Sequence, residues 1–325
     1  MKQSNNGDQP NRTICLDKSL IRPHTQRNSL IRLSQLKKEG FTMKSILLIG
    51  QSNMAGRGFV KDVPPIYNEH IHMLRNGRWQ MMAEPLNFDR HVSGIGPAAS
   101  FAQAWTTDHP GESIGLIPCA EGGSSIDEWT MDSPLTRHAI SEATFATETS
   151  ELIAILWHQG ESDSFGERFK TYENKLLSLF THLREELNVP DIPIIIGELG
   201  HYLGERGFGE NAVEFKQINQ ILYKIAHNEE NCYFVTSKGL TANPDGIHID
   251  AISQRKFGLR YYEAFSKQKH VLDPLGIEDE WIAKEAKREL TKNEAIFVQS
   301  TKFALGQLSF KEFSSHVSKI HQSEE

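Results

Sequence analysis

Five short apolar runs punctuate the chain, at residues 45–49, 113–119, 152–157, 192–197 and 232–236. Runs of this length, rich in branched side chains, are typical of strands buried on both faces of a parallel sheet. Between several of them, apolar residues recur at helical spacing, as in Tyr172, Leu176, Leu179 and Leu183. This period predicts amphipathic helices. Strands that alternate with such helices predict an α/β fold with a five-stranded, doubly wound parallel sheet.

Changes in composition divide the chain into three predicted parts. Residues 1–42 are polar and basic and lack the apolar stretch of a secretory signal, so we expect a disordered extension ahead of Met43. A targeting segment is the alternative. The sheet domain is predicted over residues 43–275, because Pro274 and Gly276 interrupt the pattern there. Residues 276–325 predict a helical tail that packs on the domain or on a second subunit, as in a homo-oligomer.

Overall composition narrows the classes of partner. The chain is 38% hydrophobic and 24% charged with a net charge of −7, which predicts no broad basic face for nucleic acid or anionic membrane. No apolar run approaches about 18 residues, so no membrane span is predicted. Of three cysteines, Cys119 and Cys232 fall in predicted strands. Buried, reduced thiols are the expectation, and with them a cytoplasmic location.

The first strand ends in the polar sequence GQSNMAG, which begins at Gly50. A phosphate-binding Gly-x4-Gly-Lys loop is excluded, because Ala55 stands where the second glycine is required. A dinucleotide-binding Gly-x-Gly-x-x-Gly is also excluded, because Lys61 stands where its third glycine is required. The nucleophile elbow of α/β-hydrolases matches only in part, since Met54 replaces its second glycine. A serine on such a turn, Ser52, still lies close to backbone N–H donors.

A serine nucleophile needs a base, and one of the fourteen histidines has a suitable setting. The sequence NPDGIHID follows the last predicted strand and contains Asp245 and His248. At this spacing the carboxylate can hold one imidazole nitrogen while the other faces the serine. The alternative is an ordinary turn before a helix that Asp250 caps.

The third predicted strand ends in HQGESD, where a run of polar groups follows a buried strand. The Gln159 amide is a candidate donor to a developing oxyanion. His158, Glu161 and Asp163 match no strong metal spacing, so no metal site is predicted. For Glu161 and Asp163 the favoured interpretation is hydrogen bonding that orders the turn.

The second predicted strand is followed by CAEGGSSIDEW. Its paired glycines, Gly122 and Gly123, allow backbone to approach a ligand closely and aim N–H groups at it, although a flexible turn is the simpler interpretation. Trp129 is more often a core residue than a pocket wall. It is retained as a candidate platform for a sugar or an acyl group.

Together these segments stand in the order of the sequence blocks of SGNH/GDSL hydrolases. The chain resembles the branch that contains carbohydrate esterase family 6 and the sialate O-acetylesterases, in which the first block reads Gly-Gln-Ser-Asn-Met. In that branch a His-Gln-Gly-Glu segment replaces the asparagine of the third block. The resemblance extends over about residues 44–269 and does not include the extension or the tail.

The resemblance implies a three-layer α/β/α fold, a Ser52–His248–Asp245 triad and no metal or other cofactor. It also implies an oxyanion hole formed by the Ser52 N–H, Gly123 (with Gly122 as the alternative) and the Gln159 amide. The residues predicted to contact the substrate are Gln51, Asn53, Gly122, Glu161 and Trp129.

The predicted function is that of a serine esterase that removes acetyl groups from a carbohydrate, of the acetyl-xylan or sialate type. Its predicted partner is the acetylated sugar. A lipid or aryl esterase of the GDSL type is a second hypothesis, and it requires a wide apolar groove. A third hypothesis is a non-catalytic carbohydrate-binding module on the same fold.

Overall fold

The computed structural model describes residues 43–322, so the predicted extension over residues 1–42 lies outside the described part of the chain. A seven-stranded sheet has the order β3-β2-β4-β1-β5-β6-β7. All neighbouring strands are parallel except β2 and β3. The strands are β1 Met43–Gly50, β2 Ile71–Arg75, β3 Arg78–Met81, β4 Ile114–Pro118, β5 Ser150–His158, β6 Ile194–Gly197 and β7 Cys232–Val235.

Helices cover both faces of this sheet. Alternate residues of β1 point to opposite faces: Leu47 and Ile49 belong to one apolar core, Ile46 and Leu48 to the other. Helices α3, α4 and α5 pack on the first face, and α2 and α6 on the second. The helices are α1 Ser52–Ala55, α2 Ala98–Asp108, α3 Pro134–Ala146, α4 Phe169–Glu186, α5 Phe215–Asn228, α6 Ala251–Lys267, α7 Glu278–Glu285, α8 Lys292–Ala304 and α9 Phe310–Gln322. The predicted three-layer α/β/α fold is confirmed.

The predicted number of five strands is wrong, because β2 and β3 extend the sheet to seven. They form an antiparallel hairpin at one edge, where the residues of β3 alternate between exposed and half-buried and no continuous apolar run is needed. The signal for it lay in the sequence. Asn76-Gly77 joins the two strands, and this pair favours a two-residue hairpin turn.

Beyond the predicted domain boundary, a buried ion pair holds the next helix to the domain. Arg260 on α6 donates from Nε to Glu278 Oε1 at 2.6 Å and from Nη2 to Glu278 Oε2 at 3.0 Å. Helices α8 and α9 follow within the segment predicted as a helical tail. Across residues 43–322, no helix combines the length and apolar character needed to cross a membrane.

Both cysteines within the described residues, Cys119 and Cys232, are buried and unpaired. Burial raises the pKa of the Cys232 thiol to about 11. The same cause raises the pKa of Cys119. Both thiols therefore stay protonated near neutral pH and behave as small apolar side chains.

Parallel strands present their carboxyl ends at one edge of the sheet, and β1 is central there. Its last residue, Gly50, has a φ of +128°, and a Cβ at this position would lie 2.1 Å from the His158 carbonyl oxygen on β5. No other residue allows this turn and this approach of two backbones. The turn directs Ser52 away from the strand and into α1.

We expect Gly50→Ala to lower the free energy of unfolding by at least about 3 kcal/mol, because backbone strain and steric overlap add. Gly111→Ala is the matched control. Gly111 also has a positive φ, but a Cβ there would meet nothing within 4 Å. We expect it to cost only about 1–2 kcal/mol. Urea unfolding of both variants checks this, and equal losses would contradict the steric argument.

Candidate active site

Ser52 begins the one-turn helix α1 directly after β1. The turn is fixed on both sides: the Gln51 N–H donates to His158 O at 2.8 Å, and the Gly56 N–H donates to Ser52 O at 2.8 Å. Among residues 43–322 the Ser52 N–H has no hydrogen-bond partner, as is usual for the first residue of a helix. This N–H can therefore donate to an acceptor atom of a ligand bound next to the Ser52 hydroxyl.

His248 and Asp245 form the predicted side-chain pair in the loop between β7 and α6. His248 Nδ1 lies 2.9 Å from Asp245 Oδ2, and the N–H groups of Ile247 and His248 both donate to Asp245 Oδ1 at 3.0 Å. Burial opposes ionisation of Asp245, but these hydrogen bonds lower its pKa below the ordinary carboxyl value. The ionised carboxylate orients the imidazole and leaves Nε2 for a second partner.

Asn53 joins the turn that carries Ser52 to the loop between β7 and α6 that carries His248, called the histidine loop below. Its Oδ1 accepts from the Ile249 N–H at 2.9 Å, and its Nδ2 donates to Ile247 O at 3.2 Å. One amide thus holds the backbone on both sides of His248. Because Asn53 directly follows Ser52, a single side chain links the segment of the candidate nucleophile to the loop of the candidate base.

Glu161 holds the Asn53 amide in place. Its Oε1 accepts from Asn53 Nδ2 at 2.5 Å and lies 3.1 Å from His158 Nε2. Both Glu161 and His158 are buried. Burial acts to raise the pKa of Glu161, but His158 and the hydrogen bond from Asn53 lower it below the ordinary value. The result is a buried chain of contacts from β5 to the histidine loop.

Gln51 holds the loop that follows β5. Its Oε1 accepts from Gln159 Nε2 at 3.1 Å, the Gly160 N–H at 3.2 Å and the Ser162 N–H at 3.3 Å. Gln159 Nε2 also lies within hydrogen-bond distance of Ser124 O at 3.0 Å and of an Asp163 carboxylate oxygen at 2.6 Å. The Gln159 amide is buried and engaged, so it reaches an oxyanion only by releasing one of these acceptors.

The two glycines after β4 differ in what their N–H groups do. The Gly122 N–H donates to Asp89 Oδ2 at 2.8 Å, whereas the Gly123 N–H has no partner among residues 43–322. Gly123 is also exposed. Of the two alternatives, Gly123 is therefore the glycine with a donor to offer.

Sequence reasoning missed the ion pair that orders this loop. Arg57 Nη2 lies 2.5 Å from Asp89 Oδ2, and both side chains are buried. Burial opposes ionisation of Asp89, but Arg57 holds its pKa below the ordinary value. The signal was an arginine inside an otherwise buried turn, directly after Gly56, because a buried charge requires a partner.

Contact of Gln51, Asn53, Glu161 and Trp129 with the substrate stays a prediction. All four are at most 2% exposed, and each has at least one polar atom bonded to another protein group. The Trp129 indole N–H, for example, donates to Ser124 Oγ at 2.9 Å. These side chains position the loops, because a buried polar group needs a partner whether or not substrate is present. Gly122 is buried as well, with its N–H bound to Asp89.

A cleft of about 540 Å3 opens beside His248 and Asp245, and sequence reasoning missed it. Segments 57–61 and 92–94 form two of its walls, and Phe208 forms part of another. The signal for the Phe208 loop was the glycine-rich sequence GERGFGEN, which begins at Gly204. Within residues 43–322, no cluster of three or more His, Cys, Asp or Glu side chains is arranged to hold a metal ion.

Comparison with known proteins identifies relatives that span this site. The profile of the family described as carbohydrate esterase, sialic acid-specific acetylesterase, matches residues 42–267. A probable carbohydrate esterase from Arabidopsis thaliana is 32% identical over 241 residues, which are 67% of this chain and 88% of that protein. The match to the family includes every site residue described above.

Solved structures agree with the fold. The crystal structure of an Arabidopsis thaliana protein aligns with a TM-score of 0.63 at 30% identity, over 70% of this chain and 98% of that one. The crystal structure of NanS aligns with a TM-score of 0.58 at 16% identity, over 70% of this chain and 97% of that one. At this lower identity the second likeness concerns the fold alone.

We expect Asn53→Ala to lower kcat on an aryl acetate by about a hundredfold with a smaller change in KM, because displacing a reacting group by about 1 Å has this effect. The matched control is Asn219→Ala. The Asn219 amide also bonds to both backbone groups of one residue, Leu199, at 2.8 and 3.0 Å, but it does not touch the histidine loop.

Unfolding free energies and kcat are measured for both variants. We expect similar losses of stability, with the loss of kcat confined to Asn53→Ala. A parallel fall of kcat in both variants would mean that Asn53 acts through general stability and not through the position of His248.

Proposed function

We propose that this chain, which belongs to the sialic acid-specific acetylesterase family of carbohydrate esterases, removes O-acetyl groups from a sugar by a serine mechanism. Membership of the family makes it a carboxylic ester hydrolase. The observation that carries the mechanism is the Asp245–His248 pair, whose loop is held by Asn53, the residue that follows Ser52.

In the first half of the proposed reaction, His248 Nε2 takes the proton of the Ser52 hydroxyl as Oγ bonds to the acetyl carbonyl carbon. The N–H groups of Ser52 and Gly123 donate to the oxygen that becomes negatively charged. When this intermediate collapses, the bond to the sugar oxygen breaks, and His248 returns the proton to that oxygen. The products of this half are the free sugar hydroxyl and an acetyl-Ser52 ester.

In the second half, His248 takes a proton from a water molecule whose oxygen attacks the acetyl carbonyl carbon. Collapse breaks the bond to Ser52 Oγ, which receives the proton from His248, and acetic acid leaves. Asp245 stays ionised throughout and stabilises the imidazolium that forms in each half. The lowered pKa of Asp245 suits this role.

We also propose that Gln159 contributes to the oxyanion hole, as the resemblance to the family implies. Its Nε2 has two protons and three nearby acceptors, so a proton shared with Gln51 or Ser124 is the one to be redirected. Such a donor strengthens as charge develops, and typically contributes about 10²–10³ in kcat.

Ser52→Ala tests the nucleophile. We expect kcat/KM on an aryl acetate to fall at least about a thousandfold, because no other group replaces the attacking oxygen. A fluorophosphonate probe should label the parent protein and not the variant. Ser178→Ala, which changes an exposed serine on α4, is the control and should keep both properties. A folded Ser52→Ala protein with near-normal activity would refute the assignment.

The pH dependence tests the base. A histidine accepts a proton only when it is neutral, so activity should fall on acidification, in a single step between about pH 8 and 5. Because the pKa of Asp245 is lowered, its carboxylate stays ionised through this range and adds no second step. The measurement is kcat/KM against pH. Two outcomes would contradict this assignment: a profile in which two groups must be protonated above about pH 4 before activity is lost, or a profile that stays flat down to about pH 5.

A further inference from the structure

The proposed mechanism determines on which side of Ser52 the sugar part of the substrate lies. His248 Nδ1 is held by Asp245, so only Nε2 can return a proton to the departing sugar oxygen. In the proposed mechanism the carbonyl oxygen accepts from the N–H groups of Ser52 and Gly123, so it is the sugar oxygen that must face His248. The sugar must therefore leave Ser52 on the side of His248, where the cleft of about 540 Å3 opens.

The walls of this cleft carry an unusual share of exposed apolar side chains. Phe208 is 79% exposed, Val92 56%, Phe59 43% and Val60 42%. Four large apolar side chains left open around one cleft mark a binding surface, because a folded chain normally buries such a group.

Phe208 is held in place relative to the triad. Its N–H donates to Asp245 O at 2.8 Å, and the Gly204 N–H donates to Gly209 O at 2.9 Å to close the loop. At Gly207 a Cβ would lie 2.2 Å from Asp245 O, so glycine is what lets this backbone rest on the turn that carries Asp245. The backbone of Phe208 is thus fixed beside the pair of His248 and Asp245, and its side chain lines the same cleft.

Two of the ionised groups that line the cleft are already engaged within the protein. Arg57 is bound to Asp89, and Asp245 is bound to His248. Lys61 lies next to Asp62 in sequence, and both are exposed. A ligand with an apolar face suits such a surface better than a compact anion.

We propose that this cleft binds the sugar from which the acetyl group is removed, and that Phe208 is the platform on which the ring packs. A pyranose presents C–H groups on one face, which can lie on an aromatic ring, while its hydroxyls stay in water. Phe208 is then a specificity-determining residue for the leaving group. This inference rests on the proposed function, because it takes the direction of the substrate from His248.

The test compares two acetate esters with different alcohols: an acetylated xylo-oligosaccharide and ethyl acetate, whose alcohol is too small to reach Phe208. In Phe208→Ala we expect kcat/KM on the sugar ester to fall about five- to tenfold, mainly through KM, with ethyl acetate unaffected. Phe208→Trp, which keeps an aromatic ring at this position, should retain the kcat/KM of the parent protein on the sugar ester. Phe310→Ala, at a residue 70% exposed on α9, is the matched control and should change neither substrate.

Equal losses on both acetates, or no loss on the sugar ester, would overturn the inference. So would a loss confined to ethyl octanoate, since the cleft would then hold the acyl chain. Failure of the proposed function has a different signature: the Ser52→Ala protein would remain active on ethyl acetate whatever stands at residue 208.

Discussion

The burial of a polar segment at the end of the central strand is the constraint on which the site depends. Residues 50–53 lie at the carboxyl end of β1 and are almost fully buried, so each of their polar groups needs a partner. Gly50 O accepts from the Glu121 N–H in the loop after β4 at 3.0 Å. The Gln51 side chain binds the loop after β5, and Asn53 binds the loop after β7.

One tetrapeptide, residues 50–53, therefore holds the loops that follow three different strands. The loop after β4 supplies the Gly123 N–H, the loop after β7 supplies His248, and Ser52 lies between the residues that hold them. In the proposed mechanism, satisfying these buried polar groups during folding also brings the candidate reacting groups together. Stability and catalytic geometry consequently share the same hydrogen bonds at this edge of the sheet.

The hydrogen bonds that a group already makes distinguish the groups proposed to position the loops from the groups proposed to take part in the reaction. The Gln51 amide oxygen, both ends of the Asn53 amide and the Gly122 N–H are bound to other parts of the protein. The N–H groups of Ser52 and Gly123 have no partner within residues 43–322. A donor without a partner can bind an oxyanion directly, whereas an engaged donor such as the Gln159 amide must first release an acceptor.

The layers, the central parallel strands and the segments of the candidate site could be predicted from the sequence. Apolar runs and helical periods report burial directly, and GQSN and Asp245-x-x-His248 carry their chemistry within a few residues. The contacts of the neighbouring side chains could not be predicted, because they depend on the folded chain. Asn53 meets Glu161 across 108 residues and Ile249 across 196, and no local pattern encodes such partners. The same holds for Arg57 with Asp89 and for Phe208 beside His248: each depends on which loops the folded sheet brings to one edge.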